Sequence, residues 1–87
     1  MVQSHYQEVA PLLTPETRDR IKLLRLASGL TIEDAARKAP ISAIYWRHIE
    51  DGTKQNPSVT VLQRMAKALG CTVAAFYMDS MPLQKTS

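Results

Sequence analysis

One cysteine stands in this chain, Cys71, so no disulfide can close within it. No CxxC pair and no Cys/His cluster accompanies it, and a zinc site is not indicated. Its setting in "ALGCTV" suits an apolar residue, which reads as a buried structural thiol rather than a reactive one. Glycine is scarce at 3 residues, which sets aside a fibrous repeat, and no Gly-rich phosphate loop is present. No long β-branched run occurs, and no apolar run approaches the length of a membrane span. The opening "MVQSHYQEVA" has neither the basic start nor the apolar stretch of a signal peptide, so a cytoplasmic protein without membrane contact is expected.

What is present favours helix. The 87 residues are 45% hydrophobic and 22% charged, which bounds the chain to one small domain with a modest core. Domains of this size are marginally stable and often gain from self-association. Ala, Leu, Arg, Lys and Glu recur, so an all-α fold is expected. The net charge of +3 suits a polyanionic partner, but many ordinary proteins are as basic.

Caps and breakers divide the chain. Residues 1–13 read as an N-terminal extension, in which Val9, Leu12 and Leu13 either dock or form part of a loose tail. Thr14 is the N-cap of a first helix and Pro15 its first residue, where a missing N–H costs nothing. In "ETRDRIKLLRLAS" the spacing places Ile21, Leu24 and Ala27 on one face, and Gly29 stands where a left-handed C′ residue is wanted. Thr31 with Asp34 resembles a capping box at the start of a second helix, whose Ala35, Ala36 and Ala39 form a narrow face. Pro40 ends it. Ser42 caps a third helix, "AIYWRHIED", with Trp46 and Ile49 inward and Gly52 at its end. "TKQNP" is a loop. Ser58 caps a fourth helix with Val61, Leu62, Met65 and Leu69 on its apolar stripe, closed by Gly70. Thr72 caps a short fifth helix, "VAAFYM". Residues 14–78 thus make one five-helix domain, and 79–87 a tail.

In order and spacing, "LTIEDAARKAPISAIYWRHIEDG" followed by "NPS…LQRMAKALG" resembles the phage-repressor/Cro-like helix-turn-helix family, over Arg20 to Tyr77. The resemblance implies a compact repressor-like fold in which the second and third helices form the helix-turn-helix. It implies a transcriptional regulator that binds double-stranded DNA as a homodimer on an inverted repeat, without a cofactor. A helix fits the major groove, where each base pair shows a distinct set of donors, acceptors and methyl groups. Carried over position by position, Ala43, Ile44, Arg47 and His48 would face bases. Thr31, Ile32, Ser42, Tyr45, Lys54, Gln55 and Asn56 would lie against phosphates, with Tyr45 equally suited to a supporting role. Arg25 and Glu50 occupy positions that the family often joins by a partly buried ion pair. Trp46 matches a core position.

Departures from the family pattern bear on the target. Ala43 and Ile44 stand where polar readers are usual, Ile32 where Gln is frequent, and Pro40 where the turn commonly has Gly. Proline is not expected at positive φ, so another turn conformation is anticipated. Ile32, Ala43 and Ile44 would form an apolar cluster on the DNA face, suited to thymine methyls or to a protein partner. A protein-binding regulator or antitoxin module is the rival reading. The C-terminal Tyr77, Met78, Met81 and Leu83 would either mediate self-association or seal the end of the domain, with Phe76 in the core. Ser42, His48 and Glu50 lie close in sequence, but a cap and an ion pair account for two of them. No catalytic or metal-binding residue is assigned.

Overall fold

The computed structural model describes residues 12–78. Val9, Met81, Leu83 and most of the two terminal segments lie outside the described residues. Within them the helices are α1 (Pro15–Ala27), α2 (Ile32–Lys38), α3 (Ala43–Asp51), α4 (Val59–Ala68) and α5 (Val73–Phe76). Helix α1 packs on α3 and α5, α2 packs on α3 and α4, and α4 packs on α5. The expected all-α architecture is therefore the observed one.

Each long helix starts where a short polar side chain can take over an orphaned backbone N–H. Thr14 Oγ1 accepts from Thr17 N at 3.1 Å, and Thr31 Oγ1 from Asp34 N at 3.0 Å. Ser42 Oγ accepts from Tyr45 N at 3.0 Å, and Ser58 Oγ from Val61 N at 3.1 Å. Thr72 has the extended backbone of an N-cap but makes no side-chain cap bond. Helix α5 stops at Phe76, short of the expected Met78.

Three helices end in one hydrogen-bond pattern, and this overturns the expectation for Pro40. After α1, Leu30 N bonds Arg25 O and Gly29 N bonds Leu26 O; after α4, Cys71 N bonds Ala66 O and Gly70 N bonds Lys67 O. Both glycines are left-handed, at φ +75° and +73°. After α2, Ile41 N bonds Ala36 O at 3.0 Å, the same outer bond. Proline cannot donate the inner one. The outer bond still holds the chain in the reversal, and Pro40 sits at φ +31°. The turn thus keeps the geometry of a glycine turn while straining the proline ring.

Trp46, Ile49, Ile21, Leu62, Met65 and Phe76 are wholly enclosed, with Ala35, Ala36, Ala39 and Ala66 between them. The alanines let α2 approach closely. Leu13, placed by sequence in the extension, belongs to this core and its N–H bonds Gln55 O at 2.9 Å. The inward face of α1 differs from the expected Ile21, Leu24 and Ala27. It consists of Thr17, Ile21 and Arg25, while Ala27 is exposed and Leu24 only partly covered. Cys71 is half-buried, and burial pushes its thiol pKa up, as suits a structural residue.

Candidate nucleic-acid interface

Trp46 and Ile49 anchor α3 on the side opposite its exposed residues Ile44, Arg47 and Asp51. Its orientation is fixed by a buried polar node. Arg25 Nε donates to Glu50 Oε2 at 2.7 Å and Nη2 to Oε1 at 3.0 Å. Nη1 of the same arginine donates to Leu30 O at 2.8 Å. Trp46 Nε1 donates to Glu50 Oε2 at 2.6 Å. The two charged side chains are only 8% and 6% exposed. Helix α1, the α1–α2 turn and α3 are thus tied at one point, so Arg25 and Glu50 act as scaffold. Arg25 is committed to that node through Nε, Nη1 and Nη2 alike.

The residues expected to meet bases do not share one environment. Ile44 is 64% exposed, whereas Ala43 is half-buried against the core. His48 is half-buried, and its carbonyl accepts from Lys54 N at 2.9 Å. Arg47 is exposed, and its Nη2 donates to Glu33 Oε2 at 3.3 Å, linking α3 to α2. The expected apolar cluster reduces to Ile44, because Ile32 packs partly against the core as Ala43 does.

The expected phosphate-facing residues flank that helix. Thr31 and Ser42 are exposed at the N-termini of α2 and α3, where orphaned N–H groups and the helix dipole favour anions. Gln55 and Asn56 are exposed and Lys54 partly so in the loop after α3, with Lys54 N and Gln55 O fixing the loop backbone. Tyr45 is half-buried against the core, which favours its supporting role. Gly52, at φ +90°, lets the chain leave α3, and a Cβ there would come within 3.0 Å of the Arg18 guanidinium carbon.

Sequence reasoning missed two carboxylates on this face. Glu33 holds Arg47 from α2, and Asp51 ends the exposed stripe of α3. Thr53 N donates to Asp51 Oδ1 at 2.8 Å, which with the nearby His48 and Arg47 charges draws the Asp51 pKa below its ordinary value. Asp34, paired with Arg37 at 3.1 Å, is lowered chiefly by that bond. A cleft of about 230 Å³ between the first three helices is lined by Lys22, Arg25, Ile32, Arg47, Glu50 and Asp51. Asp51 was readable from the period of α3, since it follows Arg47 by one turn. The Glu33 pairing joins residues 14 apart and left no local signal. Among the described residues no group of His, Cys, Asp or Glu could hold a metal ion, and no helix is long and apolar enough to cross a membrane.

Comparison with known proteins places this geometry. A sequence model of the helix-turn-helix domain family matches residues 18–76. The chain is 37% identical over 62 residues to the uncharacterized HTH-type transcriptional regulator YqaF of Bacillus subtilis strain 168, covering 71% of this chain and 80% of YqaF. It is similar to the restriction-modification controller protein C.AhdI from Aeromonas hydrophila, with TM-score 0.67 and 26% identity over 70% of this chain and 91% of that one. It is also similar to SinR, the master regulator for biofilm formation, in complex with DNA, with TM-score 0.66 and 28% identity over 69% of this chain and 95% of that one. The N-terminal DNA-binding domain of SinR from Bacillus subtilis gives TM-score 0.68 and 27% identity, over 72% of this chain and 91% of that one.

Proposed function

The chain belongs to the helix-turn-helix domain family, and from that premise we propose that it is a double-stranded DNA-binding transcriptional regulator of repressor type. Helix α3 enters the major groove with Ile44 and Arg47 outermost. One observation carries this reading: α3 is held by its buried side and by the Arg25–Glu50–Trp46 node, so that its Ile44–Arg47 edge is turned to solvent. Arg47 can grip guanine O6 and N7 with two N–H groups, and Ile44 can meet a thymine methyl. Ala43 and His48 border that edge. Thr31, Ile32, Ser42, Tyr45, Lys54, Gln55 and Asn56 line the backbone-facing rim, where contacts fix register rather than sequence.

Similarity to SinR in complex with DNA supports the reading. In a helix-turn-helix the first helix crosses the backbone and the second lies in the groove, which assigns those places to α2 and α3. A two-fold dimer on an inverted repeat follows the family's habit, with half-sites about one helical turn, roughly 34–36 Å, apart. The domain takes in Leu13, which is part of its core, and so runs over residues 13–78 rather than the expected 14–78; a regulator of this kind works in the cytoplasm. The rival protein-binding reading now rests on Ile44, the one member of the expected apolar cluster left exposed.

Selection from random duplexes at a stated salt concentration tests this function. An enriched inverted repeat is the expected result, and Ile44→Asn should abolish the enrichment while leaving the helical circular dichroism unchanged. Background binding with no enriched motif would refute sequence-specific recognition. Loss of a protein complex in Ile44→Asn, with DNA binding spared, would favour the protein-binding module.

A further inference from the structure

The outermost cation of α3 is not alone. Arg47 Nη2 lies 3.3 Å from Glu33 Oε2, and both side chains are more than half exposed, at 53% and 60%. An exposed pair of this kind adds little to stability. Its position matters more than its strength, because Glu33 stands in the first turn of α2, beside the residues expected to face phosphates. Asp51 adds a second negative charge one turn beyond Arg47 on the same exposed stripe. A surface built only for polyanion affinity would not place a carboxylate against its outermost arginine.

We propose that Glu33 is a specificity-determining residue: it holds the Arg47 guanidinium over the groove and opposes its use on phosphates of arbitrary DNA. This rests on the DNA-binding function proposed above. Glu33 engages Arg47 through Nη2, which leaves other N–H donors of the guanidinium to meet guanine O6 and N7. On a cognate site Arg47 keeps its carboxylate partner and gains the base. On other sequences a phosphate must compete with Glu33 for the guanidinium, and the Glu33 charge then faces the DNA backbone. Glu33 is thus a positioning residue, acting on DNA through Arg47. A second role is expected in any case, since a carboxylate in the first turn of α2 favours that helix dipole. That role would change affinity for all sequences alike and would leave their ratio untouched.

The ratio is therefore the readout. Dissociation constants are measured at fixed salt for the duplex enriched by selection and for a random-sequence duplex of equal length. Wild type, Glu33→Gln, Arg47→Gln and the double variant are compared. Glu33→Gln should tighten the random duplex several-fold, leave the selected duplex tightened less or weakened, and so lower their ratio by about tenfold, the order of one base-pair discrimination. In the Arg47→Gln background the same substitution should leave the ratio unchanged, and Glu33→Asp should restore part of the wild-type ratio. An equal shift on both duplexes in Glu33→Gln would overturn the proposal while leaving the DNA-binding function standing. A ratio that falls equally with Arg47 absent would overturn the route through Arg47. Failure of the wild type to enrich any sequence would overturn the proposed function, and this inference with it.

Discussion

Replacing Glu50 by Gln preserves the shape of the side chain and removes its charge. In the wild type its carboxylate accepts two bonds from Arg25 and one from Trp46 Nε1. The Arg25 side chain is only 8% exposed, so water cannot replace the lost partner. Stranding a buried arginine in this way costs about 3–5 kcal/mol. The amide carbonyl of the replacement, in the place of Oε2, can still accept from Arg25 Nε and Trp46 Nε1, which places Glu50→Gln near the lower figure, about 3 kcal/mol. A domain this small has a stability on the order of 5 kcal/mol, so most of it would be lost. Arg25→Met should cost a similar amount by leaving Glu50 buried without its cation. In the double variant neither charge remains and the introduced amide can still serve Trp46, so its cost should be about 1–2 kcal/mol, mainly the orphaned Leu30 carbonyl. Urea unfolding followed by far-ultraviolet circular dichroism measures all four proteins, and the coupling between the sites should reach at least about 2 kcal/mol. Additive single costs, or a Glu50→Gln cost below about 1 kcal/mol, would show that this ion pair does not anchor α3.

Other substitutions test other elements. Pro40→Gly should stabilise the domain by about 1 kcal/mol, since relief of the φ +31° strain and a new bond to the Arg37 carbonyl outweigh the added freedom of the unfolded chain. A loss above about 1 kcal/mol in chemical unfolding would show that the proline is at ease in its turn. The Asp51 pKa lies below its ordinary value of 3.8 in the folded protein, so its contribution is present above that value and is lost as pH falls through the folded pKa. Asp51→Asn should therefore show a shallower fall in stability across acid pH, and an unchanged acid limb would contradict the Thr53 hydrogen bond. Lys54→Ala should lower the slope of log affinity against log salt by about one if Lys54 neutralises a phosphate.

Local chemistry was legible in the sequence, and long-range pairing was legible only in part. Caps depend on residues three apart, and Thr14, Thr31, Ser42 and Ser58 could be read as caps without knowing the fold. Trp46 and Ile49 announced the buried side of α3. The face of α1 was misread because apolar periodicity cannot see that Arg25 is neutralised by a carboxylate 25 residues away. Family resemblance, not spacing, supplied that pair. Pro40 was misread because the outer bond from Ile41 to Ala36 governs the turn more strongly than the ring preference of its middle residue. The apolar cluster shrank to Ile44 because Ile32 and Ala43 pack partly against a core that only the assembled helices create. Glu33 escaped notice for the same reason: its partner lies on the next helix.

If α3 reads the major groove through Arg47, methylation interference will show it base by base. Dimethyl sulfate marks guanine N7 in the major groove and adenine N3 in the minor groove. On the selected duplex, guanine N7 methylation should block wild-type binding at positions within each half-site. With Arg47→Ala one of those guanines should cease to matter, while the loss of affinity stays within about 1–3 kcal/mol. Interference confined to adenine N3, or an identical pattern for wild type and variant, would rule out major-groove reading by this arginine.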